Sequence, residues 1–219
     1  VVVIILMTAV IVLPSFGNSS FPNRFLSIAA VGPLGASCTS SVFLDFSASS
    51  YTSSDFLDFF EVGFRTGLRA TDILNLKKEN VKLKKDDNGN STGRIHGTAL
   101  KTKSQTQINI RLDQKSLSIL KDRLENTKSD FLFSNKSGDP YTIEYFKKYF
   151  RKAFDQLYPD VKFHKSIHAI RSGNRKFLEM HNVNHSEIDF RQCLTIYGPT
   201  YTFMVEQSAS VNVINKYLK

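Results

Sequence analysis

The chain has 219 residues, enough for one sizeable domain and a remainder, and 41% of them are hydrophobic, which excludes a disordered or collagen-like polymer. Its 29 lysines and arginines against 20 aspartates and glutamates leave a formal charge of +9, which points to a polyanionic partner without naming one. Two cysteines, Cys38 and Cys193, are too few for a disulfide scaffold or a zinc ribbon.

The charge is unevenly spread. Arg24 and Asp45 are the only charged residues before residue 55, so the whole basic excess lies beyond it. Serine is concentrated in the same low-charge stretch, with Pro14, Gly17, Pro22, Gly32, Pro33 and Gly35 as punctuation. A boundary therefore falls near residues 50–54. Residues 1–54 form an unassigned apolar and Ser-rich segment, and residues 55–219 the domain expected to carry the function. Within the first segment, residues 1–13 are apolar except for Thr8, short of the ~20 residues a spanning helix needs. The run has the character of a signal-peptide core, but no basic residue precedes it and the chain begins with Val1. A remnant of a truncated N-terminal region, an export or anchoring signal and a buried strand all stay open as readings.

Residues 55–67 place Phe56, Phe59, Phe60 and Phe64 on one helical face, with Ser54 or Asp55 as the cap. Residues 69–75 continue helically, with Ile73, Leu74 and Leu76 on one side. Alternation over residues 81–83, 94–96 and 108–112 predicts three strands. Asp87-Asn88-Gly89-Asn90 supplies the first turn, and the polar run over residues 101–106 joins the second and third strands. Further helices are expected over residues 113–126, capped by Asp113, over 142–157 after Gly138-Asp139-Pro140, and over 166–181, 186–196 and 210–218. The pattern is an α+β domain, mainly α-helical, with a small three-stranded antiparallel sheet. No internal repeat is visible.

There is no Gly-rich phosphate loop, no Gly-x-Ser-x-Gly and no His-Glu-x-x-His. His164 and His168, like His181 and His185, have the spacing that can put two ligands on one helix face. No cysteine or carboxylate pattern accompanies them, so charged helix faces explain them better and no metal site is expected. Two other segments carry more. Thr66-Gly67-Leu68-Arg69 interrupts an apolar stripe with a glycine and a guanidinium, and His168-Ala169-Ile170-Arg171 puts an imidazole and a guanidinium on one helix face. Each alone reads better as ordinary surface. Their order is informative: an arginine helix, three strands with a lysine-bearing turn, two helices, His-x-x-Arg, then a tyrosine near the C-terminus.

That order resembles the catalytic domain of the tyrosine recombinases, the phage-integrase family of site-specific DNA recombinases, over roughly residues 52–218. The stretch from Thr66 to Leu76 resembles the family's first arginine motif. Lys103 sits where the family carries its hairpin lysine, with Lys101 as the alternative and Leu112 at the expected distance beyond. His168-x-x-Arg171 is similar to the second basic motif. Residues 208–219 resemble the segment that ends in the nucleophilic tyrosine, here Tyr217, with Tyr197 and Tyr201 as competitors. Where the family places Gly-His, or a tryptophan for the His, shortly before that tyrosine, this chain has Glu206-Gln207-Ser208 and no tryptophan at all. Gln207 and Ser208 become the candidate phosphate contacts there.

The resemblance implies a chemistry that suits these residue types. Arg69 and Arg171 would clamp the non-bridging oxygens of a DNA phosphodiester with planar, paired hydrogen bonds that a lysine cannot reproduce. Tyr217 would attack phosphorus and form a 3′-phosphotyrosyl intermediate. Lys103 would protonate the departing 5′-oxygen, and His168 would donate to the phosphoryl group or manage the tyrosine proton. Neither a metal, ATP nor a small-molecule cofactor is implied. The partners implied are double-stranded DNA and further copies of the chain in a tetrameric synapse, inside the cell wherever the target DNA resides. A membrane partner is not expected, and the origin implied is a virus or other mobile element. Two alternatives accompany this reading. One is a DNA-binding relative that does not cut, motivated by the missing Gly-His and by residues 1–54, which are unlike the family's core-binding domain. The other is a membrane-anchored polyanion-binding protein, motivated by residues 1–13. The first reading expects Arg69, Lys103, His168, Arg171 and Tyr217 to converge on one basic cleft.

Overall fold

The computed structural model describes residues 26–29, 41–44, 53–85, 89–100, 106–157, 167–194 and 207–218. Two short strands, β1 (Leu26–Ala29) and β2 (Ser41–Leu44), pair antiparallel with Leu26 opposite Leu44, inside the segment that composition left unassigned. Helices α1 (Ser54–Thr66) and α2 (Ala70–Leu74) follow, then a 3-10 turn over Lys78–Asn80. An antiparallel sheet is next, β3 (Val81–Lys85), β4 (Ser91–Thr98) and β5 (Gln107–Arg111), in the order β3-β4-β5. The remaining elements are helices: α3 (Gln114–Asn126), α4 (Ile143–Leu157), α5 (His168–Met180), α6 (His185–Arg191) and α7 (Ser208–Tyr217), with two isolated β-bridges, Lys77 to Phe131 and Ser134 to Pro140, around the turns between α3 and α4. The architecture is the mainly helical α+β domain with a three-stranded sheet that the pattern predicts.

Helix α1 is the axle of the molecule. Ser53, one residue before the expected caps, accepts a hydrogen bond from the Phe56 N–H at 3.2 Å. Phe56, Phe59, Phe60, Val62 and Phe64 are all buried, and Phe59 stacks on Phe146 of α4 at 4.3 Å. Each such ring removed from water contributes about 1.5–3 kcal/mol, so these helices gain most of their stability from packing. Gly63 lets α1 cross its neighbours closely: a β-carbon there would come within 3.1 Å of Ile73 and 3.2 Å of Ile170.

The sheet packs by one face only. Val81, Ile95 and Ile110 lie side by side across the strands and are buried. Asp113 caps α3 as expected, accepting from the N–H groups of Lys115 and Ser116. The helix expected over residues 186–196 stops at Arg191, because Cys193 turns into the left-handed region at φ 49°.

Candidate active site

The site begins where α1 ends. Gly67 adopts φ 71° and returns its N–H to the Gly63 carbonyl; a β-carbon there would fall 2.5 Å from Asn174 Oδ1. Glycine is therefore required twice, by conformation and by space. The turn delivers Arg69 to the start of α2 in extended conformation. Its Nη1 is buried and makes no hydrogen bond among the described residues, with Asp72 Oδ2 3.9 Å away.

Arg171 meets this turn from the first turn of α5. It donates from Nη1 to the Gly67 carbonyl at 3.0 Å, a contact between residues 104 apart in the chain, and from Nη2 to the Gln192 carbonyl. Gln192 answers with its side chain: Nε2 donates to the Arg171 carbonyl at 3.0 Å and to Asn174 Oδ1 at 3.2 Å. Burial first, and the Arg69 charge second, bring the Arg171 guanidinium down to about 10, so it stays charged at neutral pH. Beside it opens a cleft of about 520 Å³ whose lining includes His168, Arg171, Arg175, Lys176, Gln192 and one acidic residue, Glu179. Its far side is largely neutralised, since Arg175 donates to Glu179 at 2.9 Å and to Asp189 at 2.5 Å. Behind Arg171, burial pushes the Cys193 thiol up to about 11, which leaves it uncharged and a poor nucleophile.

Of the residues singled out in the sequence, Arg69 is near enough for its charge to act on Arg171, and His168, exposed at the first position of α5, lines the cleft beside Arg171. Lys103, its alternative Lys101, the competitors Tyr197 and Tyr201, and His164 all fall outside the described residues. The last described residue before the lysines, Leu100, donates its N–H to Asp72 Oδ1 at 3.1 Å, next to Arg69. Tyr217 is elsewhere. It ends α7, is 44% exposed, and stacks on His181 with ring centroids 4.0 Å apart and planes 13° apart. His181 follows the last residue of α5, so the stack is about 15 Å along that helix from Arg171. Phe177 lies edge-on to the same imidazole, and Lys216 sits 4.9 Å over the tyrosine ring.

Gln207, a candidate phosphate contact, is instead 0% exposed and bonded within the protein. Its Oε1 accepts from the Arg111 N–H at 3.0 Å and from Arg191 Nη1 at 3.1 Å, while Nε2 donates to the Asn109 carbonyl at 2.6 Å. Ser208 opens α7 without a side-chain cap bond preceding it. The helix is anchored further by the Ser210 N–H to Glu187 at 2.7 Å and by Arg65 to the Leu218 carbonyl at 2.5 Å. Arg65 also pairs with Asp113 at 2.9 Å, and Arg191 reaches the Arg65 carbonyl at 2.9 Å. Burial lowers the Arg191 guanidinium to about 10. These buried arginines brace the site without opening onto its cleft.

The residues that sequence reasoning passes over are Gln192, Asn174 and Arg191. Gln192 holds Arg171 partly through its main-chain carbonyl, which leaves no mark in residue type. Among the described residues no cluster of His, Cys, Asp or Glu is arranged to hold a metal ion, and no helix is long and apolar enough to cross a membrane.

The sequence pattern of the phage integrase family matches residues 42–182. No curated protein matches the chain. Among solved structures, a lambda integrase tetramer bound to a Holliday junction aligns with a TM-score of 0.52 and 16% identity, covering 68% of this chain and 44% of that one. The XerH site-specific recombinase bound to a difH substrate in a pre-cleavage complex aligns with a TM-score of 0.51 and 17% identity, covering 70% and 47%. The chain thus spans less than half the length of these two proteins. At such identities the likeness establishes the fold.

Proposed function

Because the chain belongs to the phage integrase family, we propose that it is a site-specific DNA recombinase, from a virus or other mobile element, that cuts and rejoins DNA through a 3′-phosphotyrosyl intermediate. The observation that supports this most directly is Arg171 bonded to the Gly67 carbonyl, two residues before Arg69 and within reach of its charge, at the edge of a cleft that also holds His168. Two half-buried guanidiniums that feel each other's charge repel; a phosphodiester between them turns that repulsion into attraction. Tyr217 Oη forms the new bond to phosphorus as the bond to the 5′-oxygen breaks. His168 takes the phenolic proton, or donates to a non-bridging oxygen, and Lys103 supplies a proton to the leaving oxygen. Because α7 holds Tyr217 about 15 Å along α5 from Arg171, the reading requires α7 to leave its seat before attack.

A second reading, a relative that binds DNA without cutting, is favoured by the same separation and by the internal bonding of Gln207. A nicked duplex that traps the covalent intermediate separates the two. The cutting reading expects a protein–DNA adduct that survives denaturation, disappears in Tyr217→Phe, and forms about 100-fold or more slowly in Arg171→Ala. Specific binding with no adduct on the cognate duplex establishes the second reading. An adduct that persists in Tyr217→Phe but not in Tyr197→Phe or Tyr201→Phe moves the nucleophile.

A further inference from the structure

The sheet has one face in the core and one face outside, and the outer face carries a row of cations. Lys82 of β3, Arg94 of β4 and Arg111 of β5 stand directly opposite one another across the three strands. Their neighbours Val81, Ile95 and Ile110 point into the core, so side-chain alternation turns all three cations outward. With strands about 4.8 Å apart, the row spans roughly 10 Å. Lys84 stands opposite Thr92 and His96 opposite Asn109 on the same face. Two observations confirm the shared face. Arg94 Nη1 donates to Asn109 Oδ1 at 3.1 Å. The His96 imidazole is held below its ordinary range by burial and then by the charges of Arg94, Lys82 and Lys84.

Like charges directly opposite one another destabilise a sheet. No residue of the three strands, VKLKK, STGRIHGT and QINIR, is acidic. The end of β4 leads toward the candidate site: two residues beyond it, Leu100 is bonded to Asp72, which lies near Arg69. Walking back along β4, Thr98, His96, Arg94 and Thr92 recur about every 7 Å on the outer face, leading away from that site.

We propose that the outer face of β3-β4-β5 is a track for the phosphate backbone of the duplex DNA that flanks the reacting phosphate. This rests on the recombinase reading for the identity of the polyanion. Lysine and arginine on an open sheet face fit phosphate contacts, which position a duplex without reading its bases. The track lengthens the footprint beyond Arg69 and Arg171 and fixes the direction in which the DNA arm leaves the site.

The test is the salt dependence of duplex binding by the full chain, read as the slope of log affinity against log salt. Each phosphate contact contributes about 0.9 to that slope, so changing Lys82, Arg94 and Arg111 together to Gln is expected to flatten it by roughly 2–3. The charge-keeping set Lys82→Arg, Arg94→Lys and Arg111→Lys should retain the wild-type slope, which separates lost charge from lost fold. Lys121→Gln and Lys148→Gln, on exposed positions of α3 and α4, should leave it unchanged. An unaltered slope in the triple Gln variant overturns the proposal, as does equal loss in the charge-keeping set, or wild-type binding to an acidic protein but not to duplex DNA. The covalent adduct is scored in parallel on saturating DNA. A flattened slope with no adduct in the wild type keeps the track and removes the cutting reading; an adduct with an unaltered slope does the reverse.

Discussion

Arg171 is gripped through its side chain and its main chain at once. Its guanidinium is spread between the carbonyls of Gly67 and Gln192, and its own carbonyl receives the Gln192 amide. Gln192→Leu removes that amide and leaves Asn174 and Arg171 each short of a partner, a loss of about 1–3 kcal/mol. The expected signature is kinetic: adduct formation falls by about tenfold or more on saturating DNA, while DNA affinity is unchanged. Equal losses in rate and affinity would show that Gln192 supports the fold in general and not the aim of Arg171. At this scale the sequence was legible where a residue type is itself the signal. Gly67 and Arg69 stand out against an apolar stripe, and His168 and Arg171 share a face by spacing. Gln192 was not legible because half of its contribution comes from a carbonyl that any residue would carry. Cys193 was hidden for the opposite reason: cysteine is not a turn residue, yet its φ of 49° ends the helix and aims that carbonyl.

Helix α7 shows what periodicity can and cannot convey. Val211, Ile214 and Leu218 announce an amphipathic helix, and one forms. The stripe does not say which groove receives it, because that depends on polar partners far away in the chain. Gln207 joins α7 to β5 and α6, Ser210 is tied to Glu187, and the Leu218 carbonyl to Arg65. Gln207→Ala should strip a hydrogen bond from the wholly buried Arg191, costing on the order of 3 kcal/mol. A lower melting midpoint, with earlier proteolytic release of the C-terminal helix than of α1, is the expected outcome. If the midpoint drops but α7 is released no earlier than α1, the bonds stabilise the domain as a whole instead of holding this helix in place. The strands and the remaining helices were readable from alternation and apolar spacing because each has one wet face. Helix α1 was read from its phenylalanines, although burial surrounds it on nearly every side.

Over the whole molecule, the division of charge marked where the chemistry resides, since every basic residue but Arg24 lies beyond residue 54. It did not predict the β1-β2 ribbon or a family match that starts at residue 42, because neither pairing nor descent follows charge. Net charge also gave no direction; the cations had to be placed on strands before they formed a row. That row has a second consequence, for the protein alone. Lys82, Arg94 and Arg111 repel one another in the free fold, and small ions relieve the repulsion over distances of about 10 Å at 0.1 M ionic strength. Ionic strength therefore acts in opposite senses on the two states. Raising it from very low values should lift the melting midpoint of the unbound protein, and this gain should shrink in the triple Gln variant. A midpoint indifferent to salt would mean the row is not strained. The same strands that hold DNA best in dilute buffer are then least comfortable there when the DNA is taken away.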